Sequence, residues 1–205
     1  MQVLIANQSH FSNLTELHQN VFQALHPDAS PESGATQGRL RARNEINSGL
    51  TLLAYDNAPS LDNNSPAHLL GRCVLHENFT DVIHLSRLYV MPQYRRQGTA
   101  SALVLSALLL GTMARYRILS LDTIASLQPA CNLYRKLHFT ELSAQEASIA
   151  HLWPNTNMTA ESIFFIHDLP TTIQARQELT KRLQGLSTSL EPLPARDELR
   201  GALRR

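Results

Sequence analysis

Apolar positions along the chain fall into three kinds of run. Leu14, Leu17, Val21, Phe22 and Leu25 recur at helical spacing, with Pro27 just beyond, so HFSNLTELHQNVFQALHP predicts a helix with one buried face. Short apolar or alternating runs predict strands at 2–6, 50–55, 68–79, 82–90, 117–123, 139–145 and 162–169. TASALVLSALLLGTMARY is apolar nearly all round, the pattern of a helix inside the protein. RLRARNEINSG reads as a short helix closed by Gly49, and LQPACNLYRKLH as another, with Ser126 as its cap and Pro129 in its first turn. DASPESGATQG (28–38) and DNAPSLDNNSPA (56–67) have loop composition.

The order is strand, two helices, three strands, helix, strand, helix, two strands. It predicts an α/β fold with a mixed, mostly antiparallel central sheet, helices on both faces, and strands two to four as an antiparallel meander. From Pro170 the character changes. Thr171 to Gln174 fits a capping box, and Ile173, Leu179, Leu183 and Leu186 form a stripe before Pro192 and Pro194 interrupt. The expected organisation is a domain over 1–169 and a helical extension over 170–205 with a frayed charged end. Such a stripe needs a partner surface, and a homodimer contact is favoured over docking on its own domain.

Charge sharpens the picture. The net charge is only +1, but residues 1–86 carry four basic and eight acidic side chains, and residues 87–141 seven basic and two acidic. A basic middle suits an anionic ligand held by that segment, or a chance scatter of surface charge. The balance elsewhere argues against nucleic acid as a partner. Two cysteines, Cys73 and Cys131, are too few for a disulfide framework or a cysteine zinc site and read as reduced cytoplasmic thiols. The start lacks a signal-peptide pattern. The longest apolar run, Ala100 to Ala114, is short of the roughly 20 residues a membrane span requires, so no membrane partner is expected. Walker A, G-x-G-x-x-G, H-E-x-x-H and G-x-S-x-G patterns are all missing. His10, His18 and His26 recur every eight residues without partners for a metal set and read as solvated or core-edge side chains.

One segment carries chemistry. A strand ends at Val90, Pro92 turns the chain, and Arg95-Arg96-Gln97-Gly98-Thr99-Ala100 opens a helix. A helix start offers unpaired N–H groups and a positive dipole end, and Gly98 and Ala100 keep the approach slim. The six residues suit a phosphate cradle, or equally a solvated helix start with two arginines.

The match extends further. Arg95-x-x-Gly98-x-Ala100 resembles the R/Q-x-x-G-x-G/A motif of the GNAT superfamily of acyl-CoA-dependent N-acetyltransferases. HLSRLYVMPQYRRQG resembles its strand–bulge–loop run. Leu121-Asp122-Thr123, Ala130, Leu133-Tyr134 and Phe139 resemble its LDT…A-x-x-LY-x-x-x-GF segment. The resemblance covers residues 2 to about 169. It implies a GNAT-like fold with acetyl-CoA as co-substrate in a cleft between the fourth and fifth strands, and no metal. It implies backbone contacts to the pyrophosphate from Arg95, Arg96, Gln97, Gly98, Thr99 and Ala100, and to the pantetheine arm from Leu88 and Val90. It makes Tyr134 the acid that protonates the leaving thiolate, against a packing role.

Three departures stand out. His84 occupies the position of the family's glutamate base, with Glu77 and His76 on the next strand as substitutes. Leu127 replaces a cofactor-binding asparagine. His138 replaces the glycine after the LY helix, where a left-handed residue is expected. Acceptor selection falls to 20–48 and 143–161. There Arg39, Arg41 and Arg43 offer a carboxylate contact or plain surface charge, and Trp153 sits in HLWPNTN. The expected function is acetyl transfer to a primary amine of a small molecule, amino acid or peptide. The alternatives are a non-catalytic acyl-CoA-binding regulator and an interaction protein acting through its C-terminal helix.

Overall fold

A computed structural model describes residues 1–47, 49–56, 67–150, 161–170, 172–190 and 193–204. The elements run β1 (Gln2–Ile5), α1 (Phe11–Leu25), α2 (Pro31–Asn47), β2 (Leu50–Tyr55), β3 (Leu69–Phe79), β4 (Val82–Val90), α3 (Thr99–Met113), β5 (Ile118–Ile124), α4 (Gln128–Lys136), β6 (Thr140–Leu142), α5 (Ala144–Ala150), β7 (Ser162–Asp168), α6 (Ile173–Gly185), β8 (Ser189–Leu190) and α7 (Arg196–Leu203). They build one sheet in the order β6-β7-β5-β4-β3-β2-β1-β8. β1 to β4 form an antiparallel meander, β4 and β5 pair parallel, and β7 pairs antiparallel with both β5 and β6.

α3 is the central helix. It packs on β2, β3 and β4, and α6 covers it from outside. Because both sides are covered, the helix is apolar all round. Ala102 to Leu110 are all buried, Ser106 included. On the opposite face of the sheet α1 and α2 pack together over Leu53 and Tyr55. Among the described residues no helix is long and apolar enough to cross a membrane.

The structure corrects several expectations. Residues 31–38 are not loop. α2 starts at Pro31, behind Ser30, whose hydroxyl accepts the Ser33 amide at 3.2 Å. Gly38 serves helix packing, since a Cβ there would lie 2.7 Å from the Thr15 carbonyl oxygen of α1. Residues 144–150 are helix α5 rather than the end of a strand. Ser126 does not cap α4, whose N-cap is Leu127. The cap of α6 is Thr172, which accepts from the Ala175 amide at 3.2 Å.

The tail also differs. α6 packs on α3 of the same chain and buries Leu179 and Leu183, while Ile173 at its start stays exposed; β8 pairs parallel with β1, and α7 packs against β3. Leu179, Leu183, Leu190, Leu199 and Leu203 join the main core. With Leu179 and Leu183 covered within the chain, these two no longer argue for a dimer, and the charged end is a helix rather than frayed chain. Trp153 and most of the 56–67 segment lie outside the described residues.

Candidate active site

β4 and β5 pair only at Val82–Ile118, Ile83–Leu119 and His84–Ser120. Beyond this, β4 stays with β3 to Val90 and β5 stays with β7 to Ile124, so the two strands part. A bulge accompanies the parting. Arg72 faces Tyr89 and Val74 faces Ser86, which puts an extra residue into β4, and Arg87 takes φ +53°. A bulge bends its strand and breaks the ladder locally. The β4 edge facing β5 is thereby released from pairing after His84.

The chain then turns through Pro92–Tyr94 and enters α3 at Thr99. Gly98 is the N-cap, at φ +86°, and brings no side chain to the first-turn amides. That φ is what calls for glycine. Among protein atoms a Cβ would have room, with Leu186 Cδ2 as its nearest neighbour at 3.6 Å. Uncapped amides and the helix dipole leave a concentrated positive site.

Between β4 and α4 lies a cleft of about 650 Å³. Leu88, Val90, Arg95, Arg96, Gly98, Thr99 and Ala100 all line it, while Gln97 does not and turns its amide to the Gln93 carbonyl at 3.3 Å. Leu127, Pro129, Ala130 and Leu133 form the α4 wall. Leu127 thus lines the cleft where an asparagine was expected, as an apolar and half-exposed side chain. An apolar trough ending on arginines and free amides fits an elongated ligand with an anionic end, as acyl-CoA has.

Tyr134 follows Leu133 on α4, buried between Phe139 and Phe165 at ring distances of 5.7 and 5.3 Å. Burial, with smaller contributions from Cys73, Cys131 and Asp122, pushes its phenol pKa above the ordinary value. The hydroxyl therefore holds its proton at neutral pH. His138 closes α4 at φ +66°, and the Phe139 amide bonds back to the Tyr134 carbonyl at 3.0 Å. Histidine here takes the left-handed cap.

His84 is buried where the strands part. His84 Nδ1 lies 3.1 Å from Ser120 Oγ, and that hydroxyl also lies 3.3 Å from the Ile83 carbonyl. Its Nε2 faces Asp122 Oδ1 at 3.4 Å. His76 is the cross-strand neighbour of His84, with ring centroids 5.2 Å apart. Burial first, then His84 and Arg87, lower the His76 pKa to about 4, so it is neutral at pH 7. Burial opposes ionisation of Glu77, but Tyr116 and Arg204 donate to its Oε2 and bring its pKa below the ordinary value.

A second polar cluster was invisible as a group in the sequence. Glu45 of α2 is fully buried; its Oε2 lies 2.9 Å from Arg72 Nη1, 3.0 Å from His18 Nε2 and 3.7 Å from Arg87 Nη1. His18 is thus a buried, paired histidine, not solvated and deeper than the core edge. The readable signal was Arg72, a charge in the middle of the apolar run LLGRCVL, which demands a buried acid. Arg39, Arg41 and Arg43 are exposed along α2.

The acetyltransferase (GNAT) family matches residues 12–139. No curated protein matches the chain at a significant level. Among solved structures, a GNAT-family acetyltransferase from Staphylococcus aureus is 16% identical, with TM-score 0.57, covering 82% of this chain and 98% of its own. A ribosomal-protein alanine N-acetyltransferase from Escherichia coli is 17% identical, with TM-score 0.54, over 83% and 94%. An acetyltransferase from Bacillus subtilis, solved in complex with CoA, is 14% identical, with TM-score 0.54, over 82% and 98%. These neighbours share the mixed sheet and its helices. With the family matched over more than half its length, the chain belongs to the acetyltransferase (GNAT) family and is an acyltransferase of the N-acetyltransferase type.

Proposed function

We propose that this protein transfers the acetyl group of acetyl-CoA to a primary amine of a small molecule, amino acid or peptide, and that it works in the cytoplasm. The observation that carries the reading is the parting of β4 and β5, with the His84–Asp122 pair at the fork and the uncapped start of α3 beside it. Leu88 and Val90 would hold the pantetheine arm by main-chain groups. Arg95, Arg96 and the amides of Gly98 to Ala100 would hold the pyrophosphate. Gln97 contributes at most its backbone.

Bound acetyl-CoA supplies a thioester, whose carbonyl carbon takes the amine and whose sulfur leaves as thiolate. The acceptor arrives as an ammonium, which donates to both His84 Nε2 and Asp122 Oδ1. His84 Nε2 accepts one proton, and the carboxylate of Asp122 stabilises the imidazolium. As the carbon–nitrogen bond forms and the carbon–sulfur bond breaks, Tyr134 gives its proton to the sulfur. The second proton lost by the nitrogen restores the phenol, and His84 returns the first to solvent. Neutral His76 does not repel the arriving cation. Glu77, engaged by Tyr116 and Arg204, is a poor base, and we assign it to holding α7 in place.

Thiol release from acetyl-CoA, screened across amino acids, polyamines, aminoglycosides and peptides, tests the reading. Amine-dependent release that His84→Ala and Asp122→Asn each lower by about 10²–10⁴ is expected. Acetyl-CoA binding without release for any amine would replace it with a non-catalytic acyl-CoA-binding protein. The apolar Leu127 in the cleft is the feature that favours that second reading.

A further inference from the structure

A second cavity of about 310 Å³ lies on the polar face of β3 and β4. Among the described residues it shares no lining with the cleft of α3. Val74, His76 and Glu77 of β3 and Ser86 and Arg87 of β4 line it, and Leu203 at the end of α7 and the following Arg204 close one side. It adjoins the fork, because His76 is in ring contact with His84.

Two guanidinium groups face this space, and they differ. Arg204 is matched by Glu77, whose Oε2 lies 2.9 Å away. Arg87 is 3.7 Å from Glu45 Oε2, and that oxygen already serves Arg72 at 2.9 Å and His18 at 3.0 Å. The side chain of Arg72 is 7% exposed and needs Glu45 fully, whereas that of Arg87 is 52% exposed. One buried carboxylate thus stands against two arginines, and the unmatched positive charge rests on Arg87, at the cavity. The bulge holds it there, with φ +53° at Arg87 and its carbonyl accepting from Arg72 Nη1 at 3.4 Å.

We propose that this cavity is the anion subsite of the acetyl acceptor, and that the acceptor is a small amine bearing a carboxylate. Arg87 receives the carboxylate through its planar fork of donors while the amine lies on His84 and Asp122. The size of the space suits a molecule of amino-acid dimensions. Leu203 and Arg204 make the C-terminal helix part of the acceptor site. The inference rests on the acetyl-transfer reading above.

The test compares amino acids with their carboxamides, which keep the shape and the amine and replace the carboxylate by an uncharged amide. Wild-type kcat/KM should favour the acids by about 10- to 100-fold, the range of a charge-assisted hydrogen bond. Arg87→Asn, chosen because asparagine tolerates positive φ, should bring that ratio close to one. Arg87→Lys, which keeps the charge, should restore part of it. Equal turnover of acids and amides by the wild type overturns the subsite and leaves acetyl transfer standing, as does a preference that survives in Arg87→Asn. So does preferred transfer to peptides with amidated C termini. A binding measurement separates the two ideas. N-acetylated amino acids, but not their amides, should bind calorimetrically in an Arg87-dependent way. If they do while no amine supports thiol release, the subsite stands and the transferase reading falls; if neither binds, the subsite falls.

Discussion

Glu45→Gln removes the one negative charge of a buried cluster while keeping the side-chain shape. Glu45 has 0% exposure and Arg72 6%, so Arg72 would be left as a cation with little water and no counter-charge. Breaking a buried ion pair from one side costs about 3–5 kcal/mol. Repulsion between Arg72 and Arg87, now screened by Glu45, acts in the same direction. Unfolding in urea should therefore show stability lower by about 3–5 kcal/mol at unchanged slope, with Tm lower by about 6–20 °C for a chain of this size. The double variant Glu45→Gln, Arg72→Met separates charge from packing. It removes the stranded cation and should recover most of the loss, because the penalty belongs to the unpaired charge rather than to the missing contact. Two results would refute this reasoning: a single-variant cost below about 1 kcal/mol, which would mean that water reaches Arg72, or a double variant as unstable as the sum of its parts.

Other expectations follow from the same geometry. Tyr134→Phe should lower kcat by about 10²–10⁴ with acetyl-CoA affinity within a few fold; turnover within about twofold of wild type would return the residue to packing between Phe139 and Phe165. His76 has a pKa of about 4 against an ordinary 6.5, so the folded state binds fewer protons than the unfolded state between those values. The contribution of neutral His76 to stability is complete above about pH 6.5 and is lost as pH drops toward 4; His76→Gln should shrink the loss of urea midpoint between pH 7 and 4.5, and an identical loss in the variant would count against the shift. Truncation after Leu169 removes five buried core leucines, 179, 183, 190, 199 and 203. At about 1.5–3 kcal/mol each, their loss matches the whole stability of an ordinary domain. The truncated chain should lack a cooperative melt by circular dichroism, and a folded product melting within a few degrees of the full chain would show the tail to be dispensable.

Sequence by itself determined those parts of the protein that repeat locally. The spacing of Leu14, Leu17, Val21, Phe22 and Leu25 specifies α1, and the unbroken apolar run after Thr99 specifies a helix covered on both sides. The meander, the turn through Pro92 and the Gly98 helix start were also legible, because each is a pattern within about ten residues. α2 was missed in its first turns because Ser30, Pro31, Gly34 and Gly38 have loop composition. What makes them helical is α1, which lies so close that Gly38 has no room for a Cβ. β8 has two residues and α7 eight, too few for a period to show, and both form because the core accepts Leu190, Leu199 and Leu203. His84 could be named from its position, but its partners Ser120 and Asp122 lie 36 and 38 residues later. Glu45, Arg72 and Arg87 are likewise scattered over α2, β3 and β4. Only tertiary structure decided these groupings. Side-chain periodicity records which face of an element avoids water, whereas the pairing of buried charges depends on how distant elements register across the sheet, and no local pattern carries that register.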